Sequence, residues 1–186
     1  MKTIEYAKIV CDELTRTLTA IPSEEAENLA EEIFHAKKIF VAGAGRSGFM
    51  MKAFAMRLMH MGFDSHVIGE TTTPNAEKGD ILLVGSGSGE TSSLVSIAKK
   101  AKSMGITIGL VTIFKDSSIG ELANVVVEIP APTPKVKTET GFKSIQPMGS
   151  LFEQSLLLCL DSVILRLMEK QDKNSDTMFT KHANLE

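Results

Sequence analysis

DILLVGSGSGET, residues 80–91, is the stretch on which the reading of this chain turns. Ile81 to Val84 is a continuous apolar run too short for a helix and closed by Gly85, the pattern of a strand buried on both faces. Beyond it come glycines, serines and a threonine, and Thr91 to Met104 reads as a helix. A parallel strand, a glycine-rich turn and a helix form the half-unit from which doubly wound α/β folds are built.

The same grammar recurs on either side. KIFVAG (38–43) is a second such strand, followed by a helix over Ser47 to Met61. Ser65–Gly69, Ile106–Thr112 and Asn124–Ile129 complete a set of five strands, with a short helix near Ser118–Ala123. The predicted fold class is therefore α/β, one domain with a five-stranded parallel sheet sandwiched between helices and right-handed crossovers. Ahead of the sheet, Ile4, Ala7, Val10, Leu14 and Leu18 recur at helical spacing. After the break at Ile21-Pro22, a helix runs from Glu24 to His35 with Ser23 as its expected N-cap. Pro130 to Gln146 reads as a surface loop, and Met148 to Lys170 as the longest helix. The organisation is N-terminal helices over 1–36, an α/β core over 37–130, and a long helix with a tail over 147–186.

Composition narrows the function. The 186 residues carry a net charge of -3, which argues against nucleic acid as a main partner because a phosphate backbone calls for surplus Lys and Arg. Cys11 and Cys159 are far apart and lack metal-ligand spacing, so neither a disulfide framework nor a zinc site is expected, and a cytoplasmic setting fits. No apolar stretch is long enough for a membrane span.

Three segments carry chemistry. Gly43-Ala-Gly45-Arg46-Ser47-Gly48 follows a strand and opens a helix, where backbone N–H groups form an anion site. It fits GxGxxG, and Glu70 stands about where a dinucleotide fold keeps its ribose-binding acid. A tight turn without a ligand is the plainer alternative. The loop Gly85–Thr91 weighs for a ligand, because Ser86, Ser88 and Thr91 supply far more hydroxyls than a helix cap needs. A nicotinamide fold has no reason to repeat such a loop on its third strand. Hydroxyls and backbone donors surround a phosphate without a metal. In QPMGSLFEQ (146–154), Ser150 and Glu153 have the spacing of a capping box. The functional alternative makes Glu153 a general base, its charge state pulled in opposite directions by the helix start and by burial. Of the histidines, His35, His60 and His66 read as surface or packing residues. His182 stands in a polar C-terminal tail whose default expectation is fraying.

Two helices are too apolar for a lone subunit. Phe49–Met61 holds five of the ten methionines, and Leu151–Leu167 is apolar on more than one face. Subunit packing is the expectation, with deep core burial as the alternative.

Taken together, AGAGRSG, GSGSGET, QPMGSLFEQ and the terminal HANLE resemble the SIS (sugar isomerase) domain family over essentially the whole chain. The resemblance implies a single SIS-type domain and a reversible, cofactor-free and metal-free interconversion of 3-hexulose 6-phosphate and fructose 6-phosphate, in the context of formaldehyde fixation. It also implies a homotetramer with active sites at subunit interfaces. By motif, Ser47 and the loop Ser86, Gly87, Ser88, Gly89, Glu90 and Thr91 fall on the substrate-phosphate site, and Glu153 on the catalytic base. His182 falls on a residue that reaches a neighbouring subunit's site, where it could assist ring opening. Arg46 either steadies the enediolate oxygen or pairs with a nearby carboxylate. The competing functions are another phosphosugar isomerase of the same family, a non-catalytic sugar-phosphate sensor, and a dinucleotide-dependent reductase.

Overall fold

The computed structural model describes residues 1–133 and 143–185. Among these, two helices, α1 (Thr3–Thr19) and α2 (Ser23–His35), precede the sheet. The remaining order is β1 (Ile39–Gly43), α3 (Gly45–His60), β2 (Ser65–Val67), β3 (Ile81–Gly85), α4 (Ser92–Ser103), β4 (Thr107–Thr112) and β5 (Val125–Glu128). The long helix α5 (Ser150–Lys170) and the short α6 (Ser175–Phe179) end the chain. A 3₁₀ turn over Gly120–Leu122 takes the place of the expected short helix.

All strand pairs are parallel, in the order β2-β1-β3-β4-β5. The chain thus starts near one edge, steps outward to β2, and then crosses β1 to build the other half. Loops after β1 and β3 consequently leave in opposite directions and open a crevice at the carboxyl ends of the strands. Register across that boundary pairs Gly43 with Gly85, so both glycine loops begin at the same level.

Strand alternation divides the core. Ile39, Val41, Ile81 and Leu83 face α2, α3 and α5, joined by Leu29, Ile33, Met51, Phe54, Leu58 and Leu156. Phe40, Ala42, Leu82 and Val84 face the other way, against Leu94, Ala98 and Ala101 of α4. Because β1 and β3 are covered on both sides, they show no polar alternation, which is why the runs KIFVAG and DILLVG are almost wholly apolar.

Several expectations change in detail. Ser23 is the first helical residue of α2 and Pro22 holds the N-cap position, because proline's fixed φ of -61° suits the helix entry. The stripe of α1 is only half used: Ile4 and Ala7 are exposed, while Leu14 and Leu18 pack on the core. Of the expected loop 130–146, residues 134–142 lie outside the described residues. Ser144 to Gln146 lies at the surface, with Ile145 exposed, and is anchored there by the carboxylate of Glu13. The tail is ordered through α6: Asn174 caps it by accepting from the Thr177 N–H, and Met178 packs on the core. No helix is long and apolar enough to cross a membrane among the described residues.

Candidate active site

A cavity of about 380 Å³ occupies the crevice at the carboxyl ends of the strands. Three helix starts meet there. Ala44 and Ser47 come from the start of α3, Thr91 is the N-cap of α4, and Gly149 is the N-cap of α5. Each brings unpaired N–H groups and the positive end of a helix dipole. Neither α3 nor α4 carries an acidic residue in its first turn, whereas α1 and α2 both do. The two glycine-loop helices therefore leave their anion-attracting ends for a ligand.

The turn from β1 into α3 needs glycine by close approach. A Cβ on Gly43 would stand 2.9 Å from Gly48 Cα, and one on Gly48 would stand 2.7 Å from the Gly43 carbonyl oxygen. Strand end and helix thus touch backbone to backbone, which brings Ser47 to the crevice.

The second loop holds itself open by internal bonds. Ser86 Oγ accepts from the Gly89 N–H at 3.2 Å, and Ser88 Oγ accepts from the Glu90 N–H at 3.2 Å. A hydroxyl that accepts keeps its own proton to donate, so both can serve an anion. Ser86, Gly87, Ser88 and Thr91 all line the cavity. Gly89 and Glu90 do not. Gly89 turns the chain at φ +62° against Ser117. The Glu90 carboxylate points away to Ser118, accepting from its N–H at 2.6 Å and its hydroxyl at 2.7 Å, and these bonds hold it below the usual carboxylate range. An acceptor-only group so engaged is a brace for the loop rather than a phosphate donor.

Glu153 lines the same cavity, its side chain 15% exposed, and its carboxylate is paired with Arg46 Nε. The capping box does not form. Gly149, not Ser150, is the N-cap of α5, and no side chain caps it. The reason lies in Met148, whose φ of +57° swings the chain into the helix one residue earlier than the Ser-x-x-Glu pattern assumes. Relieved of capping, the carboxylate reaches the cavity. Arg46 does not itself line the cavity; of its two expected roles the structure realises the pairing with a carboxylate, that of Glu153.

His182 is elsewhere. Its ring stacks on His60 and Phe179, with centroids 5.6 and 5.7 Å apart, over a second cavity between α3, α5 and α6. His60 is buried, and Arg57 Nη1 lies 3.2 Å from its Nδ1; because arginine only donates, that nitrogen accepts. Burial first, then Arg57 and His182, push His60 below the usual histidine range. Glu70 pairs with Lys52 at 3.5 Å in a third cavity beside β2, apart from the glycine loops, so the acid of a dinucleotide site is not joined to them.

The wall residues were not legible as site residues. Leu94, Ile113, Phe114, Thr133, Met148 and Phe152 complete the cavity, Ile113 and Phe114 directly after β4. Their signal was positional: ligands sit beyond the carboxyl ends of parallel strands, and β4 neighbours β3. Among the described residues, no group of three or more His, Cys, Asp or Glu side chains gathers as a metal site requires.

This geometry has close relatives. The SIS domain family model matches residues 32–158. Over its full length the chain is 53% identical to a Bacillus subtilis protein described as a 3-hexulose-6-phosphate isomerase, all of which is covered. A Mycobacterium gastri protein of the same description is 44% identical, with 96% of this chain and 88% of that protein aligned. A crystal structure from Methanococcus jannaschii, from which a molecular function of 3-hexulose-6-phosphate isomerase was inferred, superposes with a TM-score of 0.84 at 34% identity. That superposition covers 98% of this chain and 99% of the other. With a family match across most of its length and relatives aligned from end to end, the chain belongs to the SIS domain family.

Proposed function

We propose that this chain is an enzyme that interconverts 3-hexulose 6-phosphate and fructose 6-phosphate, the activity for which its full-length relatives are named. The observation that carries this reading is the pairing of a phosphate-sized anion cradle with a single carboxylate in one cavity. Ser47, Ser86, Ser88, Thr91 and the starts of α3 and α4 form the cradle, and Glu153 lines the same cavity from the first turn of α5. No Lys or Arg lines the cavity among the described residues, so the phosphate is held by neutral donors and helix dipoles.

The chemistry follows from that division. With the phosphate fixed, the C2–C3 edge of an open-chain ketose phosphate lies toward Glu153. The carboxylate removes the proton from C2, the electron pair forms the C2–C3 double bond, and the C3 carbonyl oxygen takes up a proton to give an enediol. The same carboxyl group then returns the proton to C3 while the C2 hydroxyl loses its own, leaving the carbonyl at C2. Arg46, paired through Nε with Glu153, aims the carboxylate from outside the cavity.

The assembly is a homotetramer with shared pockets. Support comes from apolar side chains exposed on α3 and α5, among them Phe49 at 65% and Leu165 at 65%, and from His182, which lies outside the Glu153 cavity of its own chain. In that arrangement His182 serves a neighbour's pocket as the acid/base group for ring opening. The deciding test is a coupled assay that starts from 3-hexulose 6-phosphate and measures fructose 6-phosphate, with and without a chelator. Formation at an unaltered rate in chelator supports the reading, and no turnover of that substrate rejects it.

A further inference from the structure

We infer that Glu13, on the N-terminal helix and outside the cavity, is a positioning residue for the reaction: it clamps the segment 144–149 that carries the cavity rim and sets Glu153. The inference rests on the reading of this cavity as the isomerase site.

Glu13 is 7% exposed on a helix that contributes no residue to the cavity. Burying a carboxylate is costly unless donors surround it. Here three do, all from one short stretch: Ser144 Oγ at 2.7 Å, the Ile145 N–H at 2.8 Å and Gln146 Nε2 at 3.0 Å. Packing α1 on α5 needs no charge at that point, and an apolar residue would serve it better. The carboxylate is explained by what it holds.

From the clamp to the base the chain is continuous and stiff. The Gln146 N–H bonds back to Ser144 Oγ at 3.0 Å, and the Ser150 N–H reaches the Pro147 carbonyl at 3.1 Å. Between them Met148 holds φ +57°, a conformation that non-glycine residues keep only when both ends are fixed. Met148 and Gly149 line the cavity, and the Glu153 N–H bonds the Gly149 carbonyl at 3.0 Å. A Cβ placed on Gly149 would lie 3.5 Å from Glu153 Oε1, so the catalytic carboxylate rests against the end of this strap. A shift of about 1 Å in the strap displaces the base, and misplacement on that scale costs up to roughly 10²-fold in rate. The phosphate cradle, built on α3 and α4, does not depend on the strap. The signature of Glu13 is thus in kcat, not in KM.

The experiment compares the full-length protein with Glu13→Ala, Glu13→Gln and the double variant Ser144→Ala/Gln146→Ala, which opens the same clamp from its other side. Steady-state isomerase kinetics are read beside hydrogen exchange of the 143–149 amides. The expected result is a fall in kcat of about 10- to 100-fold in Glu13→Ala and in the double variant, with KM within about 3-fold. Exchange rises in 143–149 and not in β3. Glu13→Gln recovers part of the rate, since its amide oxygen still accepts from the Ile145 N–H. A normal kcat with a released strap overturns the inference, as does a loss of kcat accompanied by lost protection throughout β3. A wild-type protein without isomerase activity instead removes the functional reading, and the inference with it.

Discussion

Two carboxylates stand in opposite surroundings. Glu153 faces a cavity and a single arginine, whereas Glu13 is buried among donors. Glu153→Gln keeps the shape and removes the proton acceptor, so isomerisation should fall by roughly 10²–10⁴-fold while inorganic phosphate still binds. Turnover and phosphate titration on the same preparation check this, and near-normal turnover would assign Glu153 a structural role. Glu13 affects stability through pH. Burial alone would raise its carboxyl group, but hydrogen bonds from Gln146, Ile145 and Ser144, with Arg16 nearby, outweigh it and hold the group below the usual carboxylate range. A lowered folded value means that the stabilisation is complete above the unfolded carboxyl value and is lost as pH falls through the folded one. The melting-temperature advantage of wild type over Glu13→Gln should therefore be constant near neutrality and shrink below about pH 4. An advantage unchanged into strong acid would show that the charge contributes nothing.

Elements explain why the loop 85–91 tolerates little change. Gly89 sits at φ +62°, and any Cβ there would collide with Ser117, while Glu90 ties the same loop to Ser118. Gly89→Ala should cost about 1–3 kcal/mol of stability from backbone strain alone, before the clash is counted. Denaturant unfolding measures it, and an unchanged midpoint would mean that the loop relaxes. Thr91→Ala removes a hydroxyl that makes no cap bond, whereas Ser88→Ala removes a donor together with the bond to the Glu90 N–H. Each should raise the substrate KM several-fold and weaken competition by free phosphate. Unaltered KM in both would move the phosphate elsewhere. The element boundaries were readable because they rest on local chemistry: apolar runs closed by glycine gave β1 and β3 within one residue. The capping box at Ser150 does not form because Met148 turns left-handed just ahead of the helix, a conformation that local spacing does not reveal, in a segment that Glu13 holds from more than a hundred residues away.

For the whole molecule, the exposed apolar side chains are the unfinished part. Phe49, Met56 and Met59 on α3 and Leu158 and Leu165 on α5 are left exposed by one chain. If the tail of one subunit completes the pocket of another, mixing Glu153→Gln with His182→Ala subunits after dissociation and reassembly should restore part of the activity. Some pockets in each mixed assembly would then hold both groups intact. Recovered rate against mixing ratio is the measurement. A mixture as inactive as its parents, despite proven subunit exchange, would confine His182 to its own chain or to packing.

The sheet, its parallel sense and the two glycine loops were readable in the chain alone, because strand burial and helix starts leave their marks within a dozen residues. The chain also placed Ser47, Ser86, Ser88, Thr91 and Glu153 as candidates that the fold brings to one cavity. Only the tertiary structure showed that Glu90 braces the loop, that Arg46 is committed to Glu153, and that a glutamate on the first helix holds the rim. These roles are set by partners distant in sequence. A carboxylate reads the same in the chain whether it faces water, an arginine or three donors, and the fold alone decides which.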